Sequence, residues 1–581
     1  MRRFSHLLFV ATILLNAFIV APAQSVSKAA PATSAITGRV TAGDDQPVPG
    51  AVLVLMPAEF RRERVKPVAR ATTGADGFYR LANLPAGSYR LQLLAPAYTS
   101  AGAPRGGGWN EGQIVNVSAG ETIEGQDFRL ARGGVITGRV TDADGKPVIG
   151  EYLRLMDATQ DSSSGRNYAI SPYSSETDDR GVYRIYGLPA GRYHVAVGED
   201  KENGALSIAL SGKNFTRTFH PNATEAAQAK VVEVSPGTEA TGIDITLAAP
   251  VKTYEAAGRI VDALTNQPVP NISYGIGQVS PDGKHIGNRG WGNARTNADG
   301  EFRLRNLLPG RYAMLTAASD AVAGTAANYY SAPAPFEIVD GNVDGLLVKA
   351  HRGAVLSGVA VIEGTTTDRA ALAKLAGVAL YINVASAAPQ ADELRGAQSS
   401  RVRLQPDGSF RVAALPPGTA HVSLEPYSTP QGFTLLRVER GGVEQRTGIE
   451  IGAGEQVAGV RLVMAYGTGV LRGQVEVQRD GVPASLPGGA RLQVRLRRRG
   501  AVRSPWGEQG VEVDARGRFV LNGLVAGEYE LTASGWIQPT PGAPRGVGLP
   551  SASQTVNVPE KGEINVTLVY DLTAKPQGTT P

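Results

Sequence analysis

One short pattern recurs five times along the chain, and it limits the fold more than any other feature. The first copy reads Asp76-Gly77-Phe78-Tyr79-Arg80-Leu81 followed by Leu84-Pro85-Ala86-Gly87-Ser88-Tyr89. It returns as Gly181-Val182-Tyr183-Arg184-Ile185 with Leu188-Pro189-Ala190-Gly191-Arg192-Tyr193, and as Asp299-Gly300-Glu301-Phe302-Arg303-Leu304 with Leu307, Gly310 and Tyr312. Two weaker copies are Asp407-Gly408-Ser409-Phe410-Arg411-Val412 with Leu415, Gly418 and Ala420, and Gly517-Arg518-Phe519-Val520-Leu521 with Leu524, Gly527 and Tyr529. The leading Gly supplies the positive φ of a tight turn. The aromatic two residues later and the aliphatic beyond it share one face, with a polar residue between them in four of the copies, which is the period of a half-buried strand. Leu-x-x-Gly then predicts the return turn of a hairpin, and the following Tyr predicts a packing ring with its hydroxyl at the rim or capping the turn.

A second strand precedes each copy and carries a glycine in its interior: Gly38, Gly138, Gly258, Gly358 and Gly473. Such a glycine marks a bulge or the close approach of another backbone. These residues lie 100, 120, 100 and 115 positions apart, and each interval holds about seven short strands at the spacing of a β-sandwich. The expected fold is all-β, a tandem array of five seven-stranded sandwich domains at 35–132, 133–252, 253–352, 353–467 and 468–572, with a tail at 573–581. The fourth carries an expected helical insert at 369–375, capped by Thr367-Asp368. Short junctions such as Arg132-Gly133-Gly134 and Ala249-Pro250 predict a semi-rigid rod. With 71 Gly and 37 Pro in 581 residues the chain is rich in turns, but 42% hydrophobic residues suffice for cores, which excludes a collagen-like fibre and a disordered linker.

Gly138-Arg139-Val140-Thr141-Asp142, then Asp144-Gly145-Lys146-Pro147-Val148, leads into the D-G-x-Y/F-R-L and L-P-A-G-x-Y strands. This run resembles the bacterial carboxypeptidase regulatory-like domain, strongly in the first three copies and weakly in the last two. The resemblance implies a transthyretin-like, seven-stranded sandwich related to carbohydrate-binding folds, and an extracytoplasmic accessory or binding module that brings no catalytic residues. Related isopeptide-forming pilin modules need a Lys near the start of the core strands, and residues 51–56 and 151–156 contain none.

Residues 1–23 read as a secretory signal: Arg2 and Arg3, an apolar run over 7–20, and small residues at Ala21-Pro22-Ala23, with a linker at 24–34. The expected destination is periplasm, outer-membrane association or the exterior. The absence of Cys removes a disulfide framework, a thiolate metal site and a lipoprotein anchor. No later run reaches the roughly 20 apolar residues of a spanning helix. The formal charge is +5, and loss of residues 1–23 removes two Arg and no acid, leaving +3, too little over this length to suggest nucleic acid.

No H-E-x-x-H, G-x-S-x-G or G-x-x-x-x-G-K-[ST] occurs, so no enzyme, no metal and no cofactor is expected. His194, His220, His285, His351 and His421 are unrelated in position and read as surface or rim residues. Paired acids at Asp44-Asp45, Asp142, Asp144 and Asp178-Asp179 lack calcium-loop spacing and sit where turns are required, although weak calcium binding at inter-domain loops is the sharper alternative. Trp109, Trp291, Trp506 and Trp536 neighbour glycines in apparent loops, where a flat ring can stack on a sugar; the structural alternative is a ring lidding its own core. The stretch 491–499, R-L-Q-V-R-L-R-R-R, alternates as a charge-protected edge strand, or as a surface for acidic polysaccharide. The leading expectation is a carbohydrate-binding envelope protein, and the second a structural spacer or protein-docking module.

Overall fold

The structure is a computed structural model that describes residues 34–573 apart from 44, 59–65, 101–111, 159–175, 200–214, 317–327, 364–368, 386–397, 426–427, 502–508, 538–546 and 561. The signal segment at 1–23, the linker before Ser34 and the tail from 574 lie outside the described residues. The protein is all-β. Its strands form ten sheets among the described residues, and these enclose five large hydrophobic clusters, one between each pair of sheets.

The third unit shows the plan. One sheet runs Glu301–Leu307, Tyr254–Asp262, Val343–Arg352, Tyr329–Tyr330; the other runs Ile286–Arg295, Ser273–Val279, Gly310–Thr316, Ala334–Ile338. The opening strand Tyr254–Asp262 is central, antiparallel to Glu301–Leu307 and parallel to the closing strand Val343–Arg352. The same triple sets the register in the other units, where the opening strands are Ser34–Ala42, Gly134–Thr141, Ala354–Ile362 and Gly469–Arg479. The expected alternation holds: Tyr79, Leu81, Tyr183, Ile185, Phe302, Phe410, Val412, Phe519 and Leu521 are all buried. The turn glycines Gly77, Gly181, Gly300, Gly408 and Gly517 all have φ between 69° and 80°.

The repeated pattern is not a hairpin. Glu301–Leu307 pairs with the opening strand, whereas Gly310–Thr316 pairs within the opposite sheet, and the other four copies divide in the same way. Leu-x-x-Gly therefore carries the chain from one sheet to the other, a corner rather than a ladder turn. The tyrosine after it pins the corner. The hydroxyls of Tyr89, Tyr193, Tyr312 and Tyr529 donate to the carbonyls four residues upstream, of Pro85, Pro189, Leu308 and Val525, at 2.6–2.8 Å. The ring packs and the hydroxyl caps, so both halves of the sequence reading apply together. Loss of one such bond inside a core costs about 1–2 kcal/mol. Tyr312→Phe is accordingly expected to weaken hydrogen-exchange protection of Gly310–Thr316 by roughly tenfold, with the other units unchanged.

Three of the four junctions share one construction. The closing strand of one unit runs almost directly into the opening strand of the next: Phe128–Arg132 into Gly134–Thr141, Val343–Arg352 into Ala354–Ile362, and Gln456–Tyr466 into Gly469–Arg479. In each, a linking glycine N–H donates back to the preceding unit: Gly133 to Ala97 O at 2.9 Å, Gly353 to Asn328 O at 2.8 Å, Gly467 to Gly432 O at 2.9 Å. The next unit's corner presses on the same place through a small residue of positive φ, namely Gly187, Ala414 or Gly523. Asn328 Oδ1 even accepts the Ala414 N–H at 2.6 Å. The remaining junction differs: the second unit's last strand is Ile245–Thr246, the third begins at Tyr254, Thr253 stands in the glycine position, and Asn306 holds the positive φ. Residues 248–253 carry no strand. The helix Arg369–Leu375 of the fourth unit forms as expected and buries Ala371 and Leu375, while its expected caps Thr367 and Asp368 fall outside the described residues.

Candidate functional site

Of the four tryptophans, Trp109 and Trp506 lie outside the described residues. The loop setting expected for the other two does not hold. Trp291 stands within the strand Ile286–Arg295, opposite Gly275, and Trp536 within Gly527–Ile537, between Arg491 and Gly548 on the neighbouring strands. Their flanking glycines are strand glycines: Gly535 faces the core, where an added Cβ would meet Leu492, Tyr570 and Leu549. Trp536 therefore lies on the other face of its sheet, half-buried.

The basic stretch shares that sheet. Leu492, Val494 and Leu496 are buried, as the alternation predicts. The strand Ala490–Arg498 is not an edge, because Gln509–Glu512 and Gly527–Ile537 flank it. Three of the five arginines in 491–499 meet acids, Arg491 with Glu512, Arg497 with Glu530 and Arg499 with Glu528, while Arg495 donates to Gln493 and Arg498 to the Ala526 carbonyl. Charge satisfied in this way offers little field to a polyanion.

The acids do turn work. Asp142 Oδ1 accepts the N–H groups of Asp144 and Lys146, and Asp178 Oδ1 those of Arg180 and Val182. Asp44 lies outside the described residues. No group of three or more potential ligands among the described residues is placed to hold a metal ion. His220 departs from the rim reading: it is buried, with Nδ1 2.6 Å from Asp244 O.

The most developed polar arrangement joins the two ends of the array. Glu121, in the turn before the first unit's last strands, accepts from Arg516 Nη1 at 3.0 Å and Arg518 Nη1 at 2.7 Å of the fifth unit. Arg516 Nη2 also donates to Asn116 O at 2.7 Å, Asn116 Nδ2 donates to Arg518 O at 2.8 Å, and the Asn116 N–H points at Asp514 Oδ2 at 3.3 Å. Beside them Arg90 lies 3.6 Å from Glu512. Asn116, Arg90 and Asp514 are buried. This contact brings the terminal units together, where the semi-rigid rod expected from the short junctions holds its sites apart. Sequence reading missed it, although one signal was present: only the fifth copy flanks its turn glycine with arginine on both sides, Arg516-Gly517-Arg518.

Burial pushes the Glu121 carboxyl up, but the Ser118 N–H and the Arg518 and Arg516 guanidiniums outweigh it and hold its pKa at about 2, against an ordinary 4.5. A carboxyl depressed in the docked state contributes above its free value and loses that contribution as pH falls through the docked one. The contact is expected to be indifferent to pH above about pH 5 and to weaken from pH 4.5 down towards about 2. Small-angle scattering across that range checks this, as growth of the radius of gyration before the sandwiches unfold.

Residues 35–131 match the family model described as carboxypeptidase regulatory-like domain. No curated protein matches the chain. Among solved structures it is similar to a streptococcal ancillary pilin, at 13% identity and a TM-score of 0.24, over 55% of this chain and 98% of the pilin. It is also similar to the shaft pilin SpaA of Lactobacillus rhamnosus GG (13%, TM-score 0.19, 37% and 97%) and to the major pilin subunit BcpA of Bacillus cereus (11%, TM-score 0.15, 55% and 99%). Scores this low support no statement about role. The first unit thus matches the carboxypeptidase regulatory-like model over residues 35–131, and the four units after it repeat its opening strand, its strand glycine and its corner.

Proposed function

We propose that the chain is an exported, non-enzymatic scaffold of five β-sandwich domains, 35–132, 133–252, 253–352, 353–467 and 468–572, which spaces and docks other proteins of the cell envelope. The observation that carries this reading is the repeated junction, in which a closing strand passes into the next opening strand and a glycine N–H ties it back. Such a junction transmits position along an array, and a ligand site has no use for three copies of it. Export rests on the apolar segment after Arg2 and Arg3, with Gln24 expected as the first residue of the secreted chain. The sugar reading loses most of its support, because it drew on loop tryptophans and on unmatched basic charge.

The test is a titration of residues 24–581 with a panel of soluble polysaccharides, followed by tryptophan fluorescence. No saturable change is expected. Saturable binding that disappears in Trp291→Ala, Trp506→Ala or Trp536→Ala overturns the scaffold reading and establishes a lectin-like module.

A further inference from the structure

The two ends of this chain are built to meet, and one junction is built differently from the rest. The contact between the first and fifth units carries a polar network, beside Ile114 of the first unit and Val520 of the fifth, which are buried outside their own cores. The network consists of the Glu121 carboxyl between Arg516 and Arg518, the Asn116 amide and carbonyl exchanged with Arg518 and Arg516, the Asn116 N–H on Asp514, and Arg90 beside Glu512. The charges are complementary and set about a central acid, which is the signature of a specific docked geometry. It is also an arrangement that salt weakens, since Glu121, Arg516 and Arg518 keep 21%, 29% and 42% of their side-chain surface in solvent.

Units one and two are tied by Gly133 and Ala97, and units three, four and five by Gly353 with Asn328 and Gly467 with Gly432. Between these two arms lies the strand-free segment 248–253, Ala-Ala-Pro-Val-Lys-Thr, where Thr253 and Asn306 replace the small-residue seat. A Cβ at the linking glycines Gly133, Gly353 and Gly467 would meet neighbouring backbone at 2.1–2.5 Å, and one at the corner glycines Gly187 and Gly523 at 2.6–2.7 Å. Close packing of backbone on backbone holds those three junctions to one geometry, whereas 248–253 carries no strand and no such seat.

We propose that the array is a clasp: two arms pivoting at 248–253, held shut by Glu121 of the first unit between Arg516 and Arg518 of the fifth, and released by charge screening into a longer, open form. The inference goes beyond the scaffold reading and does not depend on it. Closing is favoured because both faces belong to one chain, so each meets the other at high effective concentration. For a scaffold, release changes the distance between its ends without unfolding any domain.

The absence of cysteine permits specific labelling. A fluorophore pair at Glu124→Cys and Glu560→Cys reports the terminal units, and a second pair at Val339→Cys and Val443→Cys reports the arm across the Gly353 junction; all four positions are exposed. Energy transfer in the first pair is expected to be high in dilute buffer and to fall severalfold in about 1 M salt, where the Debye length is about 3 Å. It is expected to fall equally in Glu121→Arg and in the Arg516→Glu, Arg518→Glu double variant, and to recover at least in part when the three substitutions are combined. The second pair is expected to hold its value throughout. Circular dichroism identical to the parent shows that the variants fold. Transfer unchanged by both charge variants overturns the clasp, as does loss without recovery in the combined variant. Movement of the second pair in step with the first overturns the pivot. Polysaccharide binding leaves all of these readings unaltered, so failure of the scaffold reading is distinguishable.

Discussion

Gly358→Ala is expected to unfold the fourth unit while the rest of the array stays folded. The Cβ of an alanine there would sit 1.8 Å from Val460 O and 2.6 Å from its carbonyl carbon. Those are backbone atoms of the parallel neighbour, paired as Gly358 with Val460 in the middle of the sheet, so no rotamer change can relieve the overlap. The strands would have to part further than their hydrogen bonds tolerate. A cost above about 4 kcal/mol is comparable with the whole stability of a small domain. Hydrogen exchange on the full chain measures it: protection of Ala354–Ile362 and Gln456–Tyr466 is expected to vanish, with that of Val52–Pro57 unchanged. Full protection in the fourth unit would falsify the close-approach reading. Gly38, Gly138 and Gly258 face the carbonyls of Gln126, Ile243 and Leu346 at 2.2, 2.0 and 1.9 Å and should behave alike. Gly473 supplies the control, because the atoms nearest its Cβ position belong to the Phe519 ring. Gly473→Ala should therefore be partly rescued by Phe519→Leu, a rescue with no counterpart at Gly358.

These glycines were legible in the sequence because a glycine inside a β-branched run is anomalous, and close backbone approach is one of the few reasons to retain it. The buried faces of Tyr79 with Leu81 and of Phe410 with Val412 were legible for the same local reason, a period of two. The corner was misread as a hairpin because Leu-x-x-Gly reverses the chain equally well within a sheet or between sheets. Which of the two occurs depends on the partner strand, dozens of residues away. Trp291 and Trp536 were misplaced by the same kind of ambiguity: Gly290, Gly292 and Gly535 read as loop residues, yet they belong to strands. The contact of Glu121 with Arg516 joins positions 395 apart in different units, and the only local trace of it is the pair of arginines about Gly517, which names no partner.

The repeated junction connects these observations. A unit whose corner residue is Gly187, Ala414 or Gly523 receives the unit before it, and each of these positions lies beside a linking glycine of the same junction. Asn83 holds the corner of the first unit, which has no described unit before it, and Asn306 that of the third, whose neighbour is reached through 248–253. The corner that pins each sandwich internally is thus also the seat on which sandwiches stack, so one five-residue stretch sets both the fold of a unit and the stiffness of the joint behind it. Variation between small residues and asparagine at that one position is enough to build two stiff arms and a pivot from near-identical parts.

Glu425→Met is expected to stabilise the fourth unit, by about 1–3 kcal/mol. Glu425 is fully buried at the end of Gly418–Leu424, and neither carboxyl oxygen has a hydrogen-bond partner among the described residues. Its backbone is fully engaged: the N–H donates to Ala379 O at 2.8 Å and the carbonyl accepts from Thr429 at 3.1 Å. Replacing the side chain therefore removes the unpartnered oxygens and leaves both main-chain bonds in place, while the unbranched methionine fills a similar volume. Glu425→Gln should gain less, because an amide in the same place remains buried and polar. Hydrogen exchange in Ala379–Ala385 and Gly418–Leu424 separates the outcomes, with protection rising from wild type to Gln to Met. The reverse order would mean that the carboxyl is held by a partner and contributes to folding. A domain that keeps an unpartnered acid in its core forgoes stability there, and the fourth unit is also the one in which Ala420 replaces the corner tyrosine. Both departures point the same way: this unit should be the first of the five to open on heating, and Glu425→Met should delay that step alone.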